Sequence, residues 1–260
     1  MEKGINLYLS KNIDDIQLLD MIAKAGFDSI ILPFSFIEKY KERSLKIVQS
    51  YGLKVQMIHS RYNAKQLDLF WQNDDGGRQL FEDFAYQISM IKNFAPVDFV
   101  IHTATSRRCE YSKIGEERLK KLIEIAKQNG VRICVENTFT TRQQKAIFEN
   151  IIDENLKMCY DAGHENWLTP NDNLVDIFKD KIVKMHLHSN DGIYDWHMPI
   201  FEGKMDYKAK AKDLAKLDIV PLCLEVKLHK IVPTVDLLIG YKSDHDLLEK
   251  YIEDYKIDRK

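Results

Sequence analysis

The sequence predicts a single (β/α)8 barrel that spans residues 1–260. Three observations support this fold class. Eight short apolar runs alternate along the chain with segments of helical periodicity. The runs are apolar along their length rather than at alternate positions, which is typical of parallel strands buried on both faces. No GxGxxG motif follows the first run, which argues against the rival arrangement, a doubly wound open sheet.

The predicted strands are short and apolar. In chain order they are INLYL (5–9), SIILP (29–33), KVQMIHS (54–60), FVIHTA (99–104), RICVENT (132–138), LKMCYDAGH (156–164), IVKMHLH (182–188) and PLCLEVK (221–227). Helical periodicity is clearest at 13–26, 77–94, 114–130 and 206–218, and the tail 245–260 predicts the last helix. Eight such units in about 250 residues have the size of a (β/α)8 barrel. No linker or low-complexity segment divides the chain.

Composition and charge narrow the classes of function. The formal net charge is −2, so the chain has no overall basic field that would favour a polyanionic partner. No apolar stretch of about 18 residues occurs, so we expect no membrane span. The segment MEKGINLYLS lacks the apolar region of a signal peptide. The four cysteines form no CxxC pair, and reduced thiols are expected. We therefore expect a cytoplasmic protein.

Titratable residues follow the predicted strands at one end. Active sites of (β/α)8 barrels lie at the carboxyl ends of the strands, so these residues are expected to take part in catalysis or ligand binding. The third to eighth strands carry His59, His102, Glu136, Asp161 with His164, His186 with His188, Asp195 and His197, and Glu225. Imidazole combined with carboxylate is a ligand set for zinc, manganese or iron. The pattern therefore predicts a divalent-metal site on this rim.

Single residues of this kind carry less weight than the whole set. A lone histidine near a strand end is more often a hydrogen-bonded structural residue than a metal ligand. Glu136 and Glu225 each follow three apolar residues, and a carboxylate buried there needs a partner charge or a metal. That six strands would place such groups on one rim without any function is the less favoured interpretation.

Five motifs stand at these strand ends: VENT (135–138), DAGH (161–164), HLH with ND (186–191), DWH (195–197) and LEV (224–226). In this combination they resemble the motifs of the xylose isomerase-like TIM-barrel superfamily. That superfamily includes sugar-phosphate isomerases and epimerases and the endonuclease IV type of apurinic endonuclease. The epimerase resemblance implies one divalent metal, held by Glu136, Asp161, His186 and Glu225. It also implies that Glu136 and Glu225 exchange protons with the sugar.

The endonuclease resemblance implies three zinc ions. They would be held by His59, His102 and Glu136; by Glu136, Asp161, His186 and Glu225; and by His164, Asp195 and His197. Each ligand position of the three-zinc pattern is occupied in this sequence by a residue of the required type. The expected cofactor is therefore a divalent metal ion, zinc or manganese, at one to three ions per chain. The short connections after the first two strands and the near-neutral charge argue against a nucleic-acid substrate without excluding it.

The function that this resemblance favours is a sugar or sugar-phosphate isomerase or epimerase. Proton transfer would pass through a metal-stabilised enediolate, and lyase chemistry lies close by. His188 is expected to orient a substrate hydroxyl or a metal-bound water. The alternatives are a zinc-dependent phosphodiesterase acting on abasic DNA and a non-catalytic binding barrel, which the filled ligand set disfavours.

Candidate substrate contacts lie in the connections after the strands. The tryptophans Trp71, Trp167 and Trp196 are expected on the active rim, where a sugar could stack on them. The candidate contacts for a small carbohydrate are Tyr62, Trp167, Trp196 and Lys227, and Arg107 and Arg108 are candidate phosphate contacts. The oligomeric state stays open, a homo-oligomer included.

Overall fold

Eight parallel strands form the centre of the molecule. The computed structural model describes residues 1–257 apart from 107, 139, 219, 229 and 230. The strands are β1 (Lys3–Asn6), β2 (Ser29–Pro33), β3 (Lys54–His59), β4 (Val97–Ile101), β5 (Val131–Glu136), β6 (Leu156–Asp161), β7 (Ile182–His186) and β8 (Leu222–Leu224). They pair in chain order from β1 to β7, and β8 pairs with β1. Leu187, just after β7, bridges Leu224 in parallel and brings the two sheet edges together. The predicted (β/α)8 barrel is confirmed.

Helices fill most connections between the strands. They are α1 (Asp15–Lys24), α2 (Phe34–Tyr40), α3 (Ser44–Ser50), α4 (Asp75–Met90), α5 (Lys113–Gln128), α6 (Thr141–Asn150), α7 (Ala162–Leu168), α8 (Leu174–Phe178), α9 (Tyr207–Leu214) and α10 (Val235–Ile257). Short 3₁₀ helices occupy Lys41–Arg43, Ala64–Trp71 and Lys92–Phe94. Among the described residues, no helix combines the length and the apolar character needed to cross a membrane.

Polar residues before the first turn set where several helices begin. The side chain of Asp14 accepts a hydrogen bond from the main-chain N–H of Ile16 before α1. The hydroxyl of Ser112 accepts one from Gly115 at the start of α5. These side chains satisfy N–H groups that have no partner within the helix. The apolar faces predicted by periodicity then pack on the outside of the barrel.

Alternation along the strands sorts side chains between the barrel interior and the helices. The interior contains a layer of six fully buried residues: Ile31, Met57, Val100, Cys134, Cys159 and Cys223. The residues next to them in sequence, such as Ile58 and Ile133, pack in the larger core with the helices. Side chains of a strand repeat with a period of two, so the residues two positions further on also point inward. Those residues include His59, His102, Glu136, Asp161 and Glu225, which therefore lie directly above this layer.

Charges close the opposite, amino-terminal end of the barrel. Arg132 donates from Nη2 to Oδ2 of Asp98 at 2.9 Å, and Nζ of Lys184 lies 3.2 Å from the same oxygen. Asp98 is buried, and the two cations compensate the cost of burying its charge. Asp98 and Arg132 lie two positions before Val100 and Cys134, and Lys184, in register with Cys159, extends its ammonium group to Asp98. The interior therefore has three layers: an ionic layer, a layer of aliphatic and sulfur-containing side chains, and the layer at the rim.

Several strand boundaries differ from the prediction. β1 ends at Asn6, before the predicted end at residue 9. The apolar run continues beyond the strand because Leu7 and Leu9 remain buried there. β4 begins at Val97, two residues before the predicted start, since the charge of Asp98 interrupts the apolar pattern but is paired inside the barrel. β8 ends at Leu224 and β7 at His186, so Glu225 and His188 lie just after the strands.

Candidate functional site

A cavity of about 290 Å³ opens at the carboxyl ends of the strands. Its wall is formed by segments after most of the strands, including β1 and β2. The lining residues are Tyr8, Pro33, Phe34, Ser35, His59, Ser60, Arg61, Tyr62, His102, His164, Asp195, His197, Glu225 and Lys227. Glu136, Asp161, His186 and His188 are fully buried and lie outside this lining. The predicted polar residues thus form an accessible set and a deeper set.

Four of the deeper and accessible groups converge on one point. Glu136, Asp161, His186 and Glu225 each offer one ligand atom, and these atoms lie within 4.8 Å of one another. Nδ1 of His186 is 3.0 Å from Oε2 of Glu225, 3.3 Å from Oε2 of Glu136 and 3.9 Å from Oδ2 of Asp161. Ligands of one divalent ion lie about 2.0–2.6 Å from it, so atoms this close can share an ion.

The same four residues contain polar atoms without a hydrogen-bonding partner. Within the described part of the chain, these buried atoms are Oε1 of Glu136, Oδ2 of Asp161, Nδ1 of His186 and Oε2 of Glu225. A buried polar or charged group without a partner is costly. A divalent cation among them would satisfy three carboxylates and an imidazole at once. The residues therefore fit the metal ion that the sequence motifs imply.

A second group of possible ligands lies beside the first. His164, His188, Asp195 and His197 bring their ligand atoms within 4.8 Å of one another. Nε2 of His197 is 2.9 Å from Oδ2 of Asp195, and Nε2 of His164 is 3.6 Å from that oxygen. Nε2 of His188 is 3.6 Å from Oδ1 of Asp195, and its ring stacks on that of His197 with the centroids 4.0 Å apart. Three of these residues were predicted as one group of ligands, whereas His188 was expected to orient a substrate hydroxyl or a metal-bound water.

Glu136 connects the imidazoles of the rim. Its Oε2 lies 3.0 Å from Nε2 of His102 and 3.4 Å from Nε2 of His59, and its Oε1 lies 3.1 Å from Nδ1 of His164. His59, Glu136 and His186 form a third group with ligand atoms within 4.8 Å. The structure thus brings together all nine residues that the sequence analysis named as metal ligands.

Electrostatics favours ionised carboxylates at this site. Burial alone would raise the pKa of Glu136, but His102 and His186 beside it hold that pKa well below its usual range. Burial would lower the pKa of His164, but Asp161 and Asp195 hold it well above the ordinary value for histidine. The Glu136 carboxylate therefore stays charged, and the imidazole of His164 draws a proton. A metal ion would supply that positive charge in place of protons.

The DAGH motif positions two of these groups through its local structure. Asp161 ends β6, and its Oδ1 accepts a hydrogen bond of 2.6 Å from the N–H of His164 at the start of α7. This bond leaves Oδ2 for the metal group. A side chain at Gly163 would overlap the imidazole of His188, so the motif needs glycine there. Asn190 donates to the carbonyl of Gly163 and holds the next segment against α7.

The DWH segment is hydrogen-bonded to the end of β8. Nδ1 of His197 lies 2.9 Å from the carbonyl oxygen of Glu225, and the N–H of Lys227 donates to the carbonyl of His197 at 2.9 Å. His197 has a φ of 50°, in the left-handed region that costs a non-glycine residue energy. These bonds offset that strain and fix His197 beside Glu225.

Tyr8 is a site residue that was not predicted from the sequence. Its hydroxyl donates to Oε1 of Glu225 at 2.7 Å, and its ring lies edge-on to His59. Burial, followed by the charge of Glu225, raises the pKa of Tyr8 well above its usual value, so the phenol stays a donor. Its place at the end of the first apolar run, where the other strands carry polar groups, was the available signal.

The predicted substrate contacts divide into two pairs. Tyr62 and Lys227 line the cavity. Trp167 and Trp196 do not: Trp167 lies in α7, and the indole of Trp196 donates to Asp191 on an exposed loop. Trp71 is buried in a 3₁₀ helix and donates to the carbonyl of Thr103, so it belongs to the core. The aromatic residues of the cavity wall are instead Tyr8, Phe34 and Tyr62.

The two arginines proposed as phosphate contacts gain no support. Arg107 lies outside the described residues, and Arg108 is exposed and does not line the cavity. The arginine that does line it, Arg61, pairs with Glu38 and Asp83. Among lysines and arginines, the described lining therefore contains Arg61, which is already paired, and Lys227.

Comparison with known proteins places these observations in a family. Residues 19–251 match the family described as xylose isomerase-like TIM barrel. MJ1614 of Methanocaldococcus jannaschii, described as an uncharacterized protein, is 34% identical over an alignment of 210 residues that covers 75% of this chain and 79% of that protein.

Solved structures share the fold at low sequence identity. A D-tagatose 3-epimerase-like protein superposes with a TM-score of 0.77 at 18% identity, covering 100% of both chains. D-psicose 3-epimerase from Clostridium cellulolyticum H10, solved with D-tagatose, gives a TM-score of 0.70 at 13% identity, covering 98% of this chain and 96% of that one. At these identities the similarity establishes the fold.

Proposed function

Since the chain belongs to the xylose isomerase-like TIM-barrel family, we propose that it is a divalent-metal-dependent isomerase or epimerase of a small sugar or sugar phosphate. The observation that carries this proposal is the convergence of Glu136, Asp161, His186 and Glu225 beneath a cavity, with unpartnered ligand atoms on each. Solved structures of the same fold include proteins described as D-psicose 3-epimerase and L-ribulose 3-epimerase, which is consistent with sugar chemistry.

The residues divide the proposed reaction between them. A bound divalent ion would supply Lewis-acid polarisation of a carbonyl and a neighbouring hydroxyl oxygen. Glu225 lines the cavity, which supports a role for its carboxylate in taking a proton from the carbon next to the carbonyl or in returning one. Glu136 lies deeper and reaches the cavity through His102 and His164, which line it. Return of the proton to the other face, or to the neighbouring carbon, gives epimerisation or isomerisation.

The positions of the remaining groups refine this scheme. His188 is fully buried, outside the cavity lining, and 3.1 Å from Oδ1 of Asp161. These contacts favour a role as a metal ligand or as a partner of one over direct contact with substrate. Tyr62 and Lys227 are the proposed substrate contacts, one through its ring and the other through its ammonium group.

Cavity size and charge favour a monosaccharide over a nucleic acid. About 290 Å³ lies just below the usual range for small-molecule sites, about 300–1,000 Å³. Phosphate contacts with nucleic acid draw on several lysines and arginines. The described lining contains one lysine, Lys227, and one arginine, the already paired Arg61.

The phosphodiesterase alternative has one observation in its favour. The groups around His164, His188, Asp195 and His197, and around His59, Glu136 and His186, add to the first group and would suit more than one ion. Clustered zinc ions generate hydroxide and stabilise a leaving phosphate oxygen. Metal content in protein purified without chelator separates the proposals: one manganese-like ion favours the isomerase, and three zinc ions favour the phosphodiesterase.

Exchange of carbon-bound hydrogen with solvent is the direct test. The protein, loaded with Mn²⁺ or Zn²⁺, is incubated in D₂O with a panel of ketoses and ketose phosphates, and deuterium incorporation is followed by NMR. We expect incorporation with at least one sugar, a loss of at least about 10²-fold in Glu225→Gln, and no loss in the control Glu202→Gln, an exposed glutamate of a rim loop. Efficient incision of an abasic duplex, with no exchange in any sugar, would replace the isomerase by the phosphodiesterase.

A further inference from the structure

The imidazole of His186 has sulfur on the side away from the carboxylates. Its Nδ1 faces Glu225, Glu136 and Asp161, whereas its Nε2 lies 3.2 Å from Sδ of Met57. The thiol of Cys159 also lies against this imidazole. Met57 and Cys159 belong to the fully buried interior layer below the rim. The histidine therefore stands between a layer of anionic oxygen atoms and a layer that contains sulfur.

The chemistry of the thioether fixes the proton on this ring. A methionine sulfur carries no hydrogen and can only accept. The contact with Met57 is therefore a hydrogen bond only when Nε2 of His186 carries a proton. In that neutral tautomer Nδ1 has its lone pair free and aims it at the carboxylates. This is the form in which Nδ1 can bind a metal ion.

From this geometry we infer that Met57 is a positioning residue for the metal centre: it fixes the tautomer and the ring orientation of His186. The inference rests on the metal site of the proposed function, but not on any particular sugar or reaction. Met57 lies on β3, two residues before His59. Its side chain extends across the barrel interior to His186, which lies on β7. A residue of β3 thus orients a proposed metal ligand of β7.

The weakness of sulfur as an acceptor has a consequence for affinity. Histidine ligands usually donate their second N–H to a carboxylate, a carbonyl or a water, which raises the basicity of the ligating nitrogen. A thioether orients the ring but accepts weakly, so it adds little basicity. Removal of the acceptor should therefore weaken metal binding, and an oxygen acceptor at the same place should restore or strengthen it.

Three variants test this role against simple packing. Met57→Leu keeps a similar volume and removes the acceptor, and Met57→Gln supplies an amide oxygen. The control is Met158→Leu. It removes a fully buried thioether from the helix-facing side of β6, the strand next to the one that carries His186. The affinity of metal-free protein for Zn²⁺ and Mn²⁺ is measured by competition with a chromophoric chelator, and folding is checked by thermal melting.

We expect Met57→Leu to bind about 10-fold more weakly, Met57→Gln to bind at least as tightly as the wild type, and Met158→Leu to be unchanged. Equal affinity in wild type and folded Met57→Leu would overturn the inference. Absence of metal binding by the wild type would instead overturn the metal site itself.

A spectroscopic measurement on the wild type covers the case in which a variant fails to fold. Long-range ¹H–¹⁵N correlation of zinc-loaded protein reports which nitrogen of His186 carries a proton. We expect a protonated Nε2 and a zinc-bound Nδ1. Zinc bound at Nε2 would overturn the inference whatever the variants do.

Discussion

The hydroxyl of Tyr8 lies 2.7 Å from Oε1 of Glu225, while Oε2 of the same carboxylate lies 3.0 Å from Nδ1 of His186. The two oxygens of this glutamate thus have different partners. The phenol holds one, and the other faces the metal group. A carboxylate held in this way keeps a single orientation towards a bound ion.

Tyr8→Phe should therefore weaken metal binding by about 10-fold, because hydrogen-bond partners of metal ligands typically contribute 10–100-fold to affinity. Chelator competition with Zn²⁺ measures the change. Tyr62→Phe is the matched control: its ring lies on the same cavity wall, 4.5 Å from the His102 ring between centroids. An unchanged affinity in Tyr8→Phe would show that Glu225 keeps its orientation without the phenol.

The DWH segment should decide the number of metal ions. If a second ion binds at the group around Asp195, then Asp195→Ala and His197→Ala should each lose one metal equivalent and retain the ion held with Glu136. Elemental analysis of protein purified without chelator gives the count. Unchanged metal content in both variants would reduce DWH to a loop that orients substrate and would strengthen the mononuclear site.

Gly163→Ala should destabilise the protein by about 1–3 kcal/mol, since the added methyl group overlaps the His188 ring in a packed interior. Gly240→Ala is the control. Gly240 lies in α10 with nothing within 4 Å of an added methyl group. Alanine at this position should raise the free energy of unfolding by about 0.5–1 kcal/mol. Urea unfolding measures both. A Gly163→Ala protein as stable as the wild type would mean that the His188 ring lies elsewhere.

Acid should destabilise the protein partly through His245. Burial lowers the pKa of this histidine from its ordinary 6.5 to about 4, and its Nε2 lies 2.9 Å from the carbonyl oxygen of Leu222. Lys3 lowers the pKa further and Asp246 raises it. The unfolded chain therefore binds this proton more readily than the folded one. The stability from neutral His245 is complete above pH 6.5 and falls as the pH drops towards 4.

At pH 5 the loss from this one group should be about 2 kcal/mol relative to pH 7.5. Urea unfolding of wild type and His245→Gln at both pH values isolates it, because the other titrating groups are common to both proteins. The wild type should lose about 2 kcal/mol more than the variant between the two pH values. Parallel losses in the two proteins would remove His245 as the cause.

The sequence was sufficient for the fold and for most of the rim, and the reason lies in local patterns. Buried parallel strands and amphipathic helices leave separate periodicities, and the carboxyl end of each strand is a known place in this fold. Glu136 and Asp161 could be assigned because each directly follows an apolar run. Their convergence needed only the parallel order of the strands.

Other features depend on contacts between distant parts of the chain, which no local pattern records. The pairing of Tyr8 with Glu225 joins the first strand to the last. Trp71 was expected on the rim because it follows β3, but it packs inward and donates to Thr103. Met57 looked like any apolar strand residue, and its role depends on a histidine of β7.

The three interior layers have a consequence for changes in chain length. Deletion of one residue between Asp98 and His102 would leave these two side chains on opposite faces of the strand, because the side-chain period of a strand is two. The strand would then keep either the pairing of Asp98 with Arg132 or that of His102 with Glu136, and the other side chain would turn towards the helices. An inserted residue at 191–194, where the side chains of Ile193 and Tyr194 are exposed, would lengthen a surface loop and leave every layer in place. Tolerance of insertions and deletions should therefore rise sharply from the strands to the rim loops.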